Sequence, residues 1–144
     1  MRGSVAPRSL AAIAALLLVT AACAARSNPP LADPAAATMV ADRLFFGRAV
    51  PGGGTVSDAE WAAFLEEVVT SRFPDGLTVW RAEGRWLDEE GLIVREPVMV
   101  VEILHPPGAG ADAMTATIAD EYRRRFRQQA VLRVTAEARV RFFE

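Results

Sequence analysis

The sequence predicts an α+β domain of ferredoxin-like topology, β-α-β-β-α-β, with a four-stranded antiparallel sheet in the order 4-1-3-2 and two helices on one face. Three observations carry that prediction. Two segments have a single apolar stripe at helical spacing. Four others have the composition or the alternation of strands, and turns rich in Pro, Gly and Asp divide the six in the order this motif requires.

Taken in order, Arg43 to Val50 carries two phenylalanines and is closed by Pro51-Gly52-Gly53-Gly54, which makes it the first strand. Ser57-Asp58-Ala59-Glu60 has the spacing of a capping box, in which a serine oxygen and a glutamate three residues on satisfy each other's backbone amides. A helix is expected from Asp58 to about Arg72, its inward face formed by Trp61, Phe64, Leu65, Val68 and Val69. Pro74-Asp75-Gly76 stops it. Leu77 to Ala82, extending towards Trp86, is the second strand, and the acidic run Asp88-Glu89-Glu90 before Gly91 is the turn into the third, Leu92 to Leu104. Pro97 lacks a ladder amide, so a bulge or the start of the regular strand is expected there. After His105-Pro106-Pro107-Gly108, Asp112 is placed to cap a second helix, which runs to about Gln129 on the stripe Met114, Ile118, Tyr122 and Phe126. Val131 to Phe143 then alternates polar and apolar residues, as a long strand with one dry face does.

The first 22 residues stand outside this domain. Arg2 and Arg8 precede an uncharged apolar run from Leu10 to Ala22, the pattern of an export signal. At 1.5 Å per residue, a helix of about 13 residues is too short for a hydrocarbon core of about 30 Å. Ala21-Ala22 lie directly before Cys23, the one cysteine, so the thiol is placed to be acylated as a lipoprotein's new N-terminus. Ala22-Cys23-Ala24 would also serve an ordinary signal peptidase, and both routes imply export. The lipoprotein route predicts a chain anchored in the cell envelope through Cys23, at the outer membrane where the organism has one. Residues 23–40, with Pro29, Pro30 and Pro34, form a tether, and residues 41–144 form the domain. With one cysteine no disulfide forms within the chain, so stability rests on the core.

The net charge of −2, with every basic residue an arginine, gives no global attraction to nucleic acid. One histidine and one cysteine supply no zinc set, and no calcium loop, phosphate loop or dinucleotide fingerprint is present, so neither metal nor cofactor is expected. The candidate site residues are few. Glu102, among aliphatic neighbours on the third strand, must face solvent, pair with Arg43, Arg48 or Arg95, or serve function. His105 has the side chain for acid–base work, but it stands beside no recognisable nucleophile. Trp80 and Trp86 are an even number of residues apart and therefore share a face of a regular strand. Gly52-Gly53-Gly54 is a turn, and Arg123-Arg124-Arg125 fan around the second helix, where Asp120 and Glu121 lie i+4 from Arg124 and Arg125.

Two readings of function follow. In the first, the sheet face without helices self-associates or meets an envelope protein, because segments such as Val98-Met99-Val100-Val101 are apolar on both sides. The alternative is a small enzyme or small-ligand binder with a pocket lined by Arg48, Trp80, Trp86, Glu102 and Tyr122.

The motifs D-R-L-F-F-G-R at 42–48, V-S-D-A-E-W at 56–61, F-P-D-G-L-T-V at 73–79, G-R-W at 84–86, R-E-P at 95–97 and Y-R-R-R-F-R-Q-Q at 122–129 together resemble a bacterial exported family known as domain of unknown function 3574. The resemblance spans nearly the whole domain and brings no established reaction. It implies that Arg48, the F-P-D-G turn, Trp86, Glu96, Tyr122 and Phe126 belong to a shared framework.

Overall fold

A computed structural model describes residues 36–87 and 91–143. The signal, Cys23, most of the tether and the acidic turn at 88–90 lie outside the described residues. The strands are β1 (Ala37–Gly47), β2 (Thr78–Leu87), β3 (Ile93–His105) and β4 (Leu132–Val140), and the helices are α1 (Asp58–Phe64) and α2 (Ala109–Phe126). They form one antiparallel sheet in the order β2-β3-β1-β4, which is the predicted 4-1-3-2 read from the other edge.

Both helices lie against the same face. Phe46 of β1 stacks obliquely on Trp61 of α1, with centroids 5.3 Å apart, and edge-on to Tyr122 of α2, at 4.7 Å. Leu44, Phe46, Met99, Val101 and Ile103 supply the sheet side of this core, and Trp61, Phe64, Val69, Ile118, Tyr122 and Phe126 supply the helix side. Side chains alternate across a pleated strand, so the opposite residues of β1 and β3 must point away from the helices.

The capping box forms as read: the Ser57 hydroxyl accepts from the Glu60 amide at 3.2 Å, and the Glu60 carboxylate accepts from the Ser57 amide at 2.8 Å. Beyond Phe64 the helix widens into π turns over Leu65–Thr70 rather than continuing as α to Arg72. β1 begins at Ala37, within the residues assigned to the tether, because Ala37 and Thr38 find partners in Val140 and Arg139 at the far end of β4. No local pattern in Ala37-Thr38-Met39-Val40 announces that pairing.

Pro97 causes no bulge. Its pairing with Glu83 is in unbroken register, and its carbonyl accepts the Arg48 amide at 3.0 Å. The amide it lacks would have faced the Arg48 carbonyl, which accepts from Val56 instead, at 2.9 Å. The missing donor thus falls where β1 has ended and a loop backbone takes its place.

α2 starts at Ala109, before Asp112, with Gly108 as its N-cap and no side-chain cap. Asp112 stands in the first turn and pairs with Arg133. The helix ends at Phe126, where Arg127 adopts a left-handed backbone at φ 55°. β4 alternates as expected, but its apolar side faces away from the helices: Leu132 and Val134 are 59% and 41% exposed. No helix among the described residues is long and apolar enough to cross a membrane.

Candidate functional site

The ladder registers and the pleat together define the face without helices. β4 brings Leu132, Val134, Ala136, Ala138 and Val140 to it, β1 brings Met39, Ala41 and Phe45, β3 brings Val98, Val100 and Leu104, and β2 brings Trp80, Ala82 and Trp86. Among the described residues the polar side chains on this face are Thr78, Arg43, Glu96 and Glu102. Arg43 and Glu102 sit directly opposite each other, with Nε 2.6 Å from Oε1. Glu102 therefore has the structural arginine partner that its apolar neighbours demanded.

The other residues expected to join Glu102 are dispersed. Arg48 lies on the helix side, buried, where Nε and a terminal nitrogen donate to the Val56 carbonyl, the former at 2.7 Å. Its remaining terminal nitrogen is 2.8 Å from an Asp58 carboxylate oxygen, so the guanidinium latches the glycine turn to the start of α1. Tyr122 is fully buried in the aromatic core, and its hydroxyl donates to the Gly47 carbonyl at 2.9 Å. Burial pushes the phenol well above its ordinary range. The expected pocket of Arg48, Trp80, Trp86, Glu102 and Tyr122 is thus not assembled, because Arg48 and Tyr122 lie on the opposite side of the sheet from the other three.

His105 is also on the helix side. Its Nε2 is 3.0 Å from Oδ2 of Asp42 and its Nδ1 is 2.8 Å from the Pro106 carbonyl, so both ring nitrogens are engaged inside the protein. Asp42, with no exposed surface, also accepts from Arg133 at 2.9 and 2.7 Å and from the Thr135 hydroxyl at 2.6 Å. Burial alone would raise its pKa, but the hydrogen bonds from Arg133, Thr135 and His105 outweigh burial and hold the carboxyl below its usual range. This cluster ties β1, β3, β4 and the start of α2 together and leaves neither ring nitrogen for a substrate.

Trp80 and Trp86 do share a face, but they stand six positions apart along the strand and do different things. Trp80 stands opposite Val100, on the edge strand β2. Trp86 reaches the far end, where its indole nitrogen donates to Oε1 of Glu96 at 3.0 Å. The Ala49 amide donates to Oε2 of the same carboxylate, also at 3.0 Å. Glycine makes room for this group at Gly47, where a Cβ would come within 2.7 Å of both carboxylate oxygens; a Cβ on Gly84 would instead meet Val98 Cγ2 at 2.7 Å. A cavity of about 930 Å³ opens beside it, walled by Phe45, Val98, Trp86 and Leu132, with Gln128 at its margin. Gln128 donates to the Ala49 carbonyl at 2.7 Å and so fixes the segment that holds Glu96.

Glu96 was not singled out for chemistry in the sequence, since R-E-P carries no catalytic spacing. The available signal was its register: it lies opposite Gly84, one alternate position from Trp86. Two other expectations change in detail. On α2, Arg123 and Arg124 pair at i−3 with Asp120 and Glu121, and Arg125 reaches across to Glu67, 2.8 Å away. The triple glycine is a turn closed by Gly53 donating to Val50 and Val50 donating to Gly54, at 2.9 and 3.1 Å. Among the described residues no three His, Cys, Asp or Glu side chains gather as a metal set.

These features define an α+β sheet domain with two helices on one face, a mostly apolar surface on the other and a carboxylate-bearing cavity at the end of that surface. The chain belongs to the family described as Protein of unknown function (DUF3574), whose model matches residues 41–142. Among solved structures it is similar to a phage SAM lyase in complex with S-methyl-5′-thioadenosine, at 15% identity and a TM-score of 0.54, over 74% of this chain and 93% of that one. The same kind of enzyme in its apo state matches at 13% identity and a TM-score of 0.53, over 74% and 94%. At such identities the likeness is one of fold. No curated protein matches the chain.

Proposed function

We propose that this is an exported, lipid-anchored envelope domain whose apolar sheet face pairs with a second copy of itself. The observation that carries the reading is the composition of that face, where four strands contribute few polar side chains and two of those, Arg43 and Glu102, neutralise each other. Four strands spaced about 4.8 Å apart and nine residues long make a rectangle of roughly 570 Å² before side-chain relief is added. A standard interface buries about 800 Å² per partner, so a face of this area, with side-chain relief added, has the scale of a stable contact. Cys23, acylated after signal removal, would hold the domain at a membrane, and tethering of this kind concentrates copies in a plane. Light scattering of residues 34–144, a compact unit by themselves, tests the pairing. A mass of two or more copies is expected. A monomer that forms a complex only when other envelope proteins are added would replace self-pairing with a different partner.

A second reading is favoured by the cavity at Trp86 and Glu96, which has the volume and the largely apolar wall of a small-molecule site. The phage SAM lyase of similar fold is in complex with S-methyl-5′-thioadenosine, and a ligand of that size suits a cavity of this volume. Titration with that compound tests the reading: saturable quenching of tryptophan fluorescence, lost when Trp86 is replaced by phenylalanine, is the expected result.

A further inference from the structure

The charge inside the cavity is one-sided. Glu83 and Arg85 at its rim pair with each other at 2.8 Å and cancel. Glu96 has no such partner: its two hydrogen bonds come from an indole and a backbone amide, both neutral. Among the described residues no arginine or histidine nitrogen lies within ion-pair reach of it. The other polar groups here, the Gln128 and Gln129 amides, carry no charge.

An unneutralised carboxylate at the wall of an apolar concavity focuses negative potential into the space beside it. The two neutral donors orient the group but leave its charge uncompensated, and each oxygen keeps a further lone pair. Phe45 and Trp86 add aromatic rings, whose faces attract cations. A neutral or anionic occupant would strand this charge against a desolvated surface, whereas a cation would satisfy it.

We infer that the cavity takes an organic cation, an amine or related onium group carried on an apolar or aromatic body, with Glu96 holding the charge and Phe45, Val98 and Leu132 holding the body. This rests on the reading of the cavity as a ligand site and adds to it the class of ligand.

A charge ladder on one skeleton separates the two claims. Phenethylamine, 2-phenylethanol and phenylacetate have similar size and carry positive, zero and negative charge at neutral pH. Each is titrated into ¹⁵N-labelled protein, with the Trp86 indole N–H resonance as the readout because that group touches Glu96. The amine should bind at least about tenfold more tightly than the alcohol, the carboxylate more weakly still, and Glu96→Gln should bring amine and alcohol together. If Glu96→Gln fails to fold, the order of the three compounds on the unsubstituted protein decides the matter. Equal binding of amine and alcohol overturns the cation assignment while leaving the cavity a ligand site. No movement of the Trp86 resonance with any of the three overturns both.

Discussion

Arg43 and Glu102 face each other across β1 and β3 in the middle of a mostly apolar surface, with Nε 2.6 Å from the carboxylate. In a lone subunit both side chains touch water, so the pair contributes no more than about 1 kcal/mol. Covered by a second sheet, the same pair is desolvated, and removing one partner strands the other. Arg43→Ala is therefore expected to leave the urea midpoint of a dilute sample nearly unchanged and to weaken association by a larger factor. Denaturation and light scattering on the same variant check both halves.

Asp42 makes the opposite case, a charge committed to the fold. Asp42→Asn should cost about 3 kcal/mol, measured by urea denaturation, because Arg133 and His105 lose the anion they surround.

The same carboxyl sets a pH dependence. Its folded pKa lies below the ordinary aspartate value of 3.8, so its contribution is complete above that value and is lost as pH falls through the folded pKa. Stability of the parent should fall in strong acid more steeply than that of Asp42→Asn, and a series of urea midpoints against pH reads the difference.

Tyr122→Phe keeps the aromatic packing and removes one hydrogen bond, leaving the Gly47 carbonyl unpaired beneath the segment that positions Glu96. A loss of about 1 kcal/mol is expected. Ultraviolet titration of the parent, which has this one tyrosine, should show the phenol ionising only above its ordinary range, or on unfolding.

If Cys23 is the anchor, the chain expressed in a bacterial host should incorporate labelled palmitate in the membrane fraction, and Cys23→Ser should abolish the label. An unmodified thiol still joined to the signal would contradict the lipoprotein route.

Much of the fold was legible because its determinants are local. The Ser57–Glu60 box, the stripe through Ile118, Tyr122 and Phe126, and the Pro and Gly stops each act within a few residues. The departures are tertiary. Ala37–Val40 is a strand because β4 is long enough to receive it, and Pro97 is tolerated because Val56 takes the carbonyl bond that Pro97 cannot make. The alternation of β4 was plain, yet no local rule says which side faces the helices. In the fold its Arg133 and Thr135 turn inward to Asp42, which leaves the apolar residues outside. The candidate site was harder to read for a related reason. Arg48, Glu102 and Tyr122 have the chemistry of a site, but register divides them between two faces, whereas Glu96 gains its place only from Trp86 and Ala49 on neighbouring segments.

The most direct test of the association surface is the molar mass of residues 34–144 in solution beside the variant Val134→Glu, which puts a charge on the exposed side of β4 opposite Arg43. The parent should scatter as two or more copies, and the variant as one copy with an unchanged circular dichroism spectrum. A parent that stays monomeric up to its solubility limit would contradict the account.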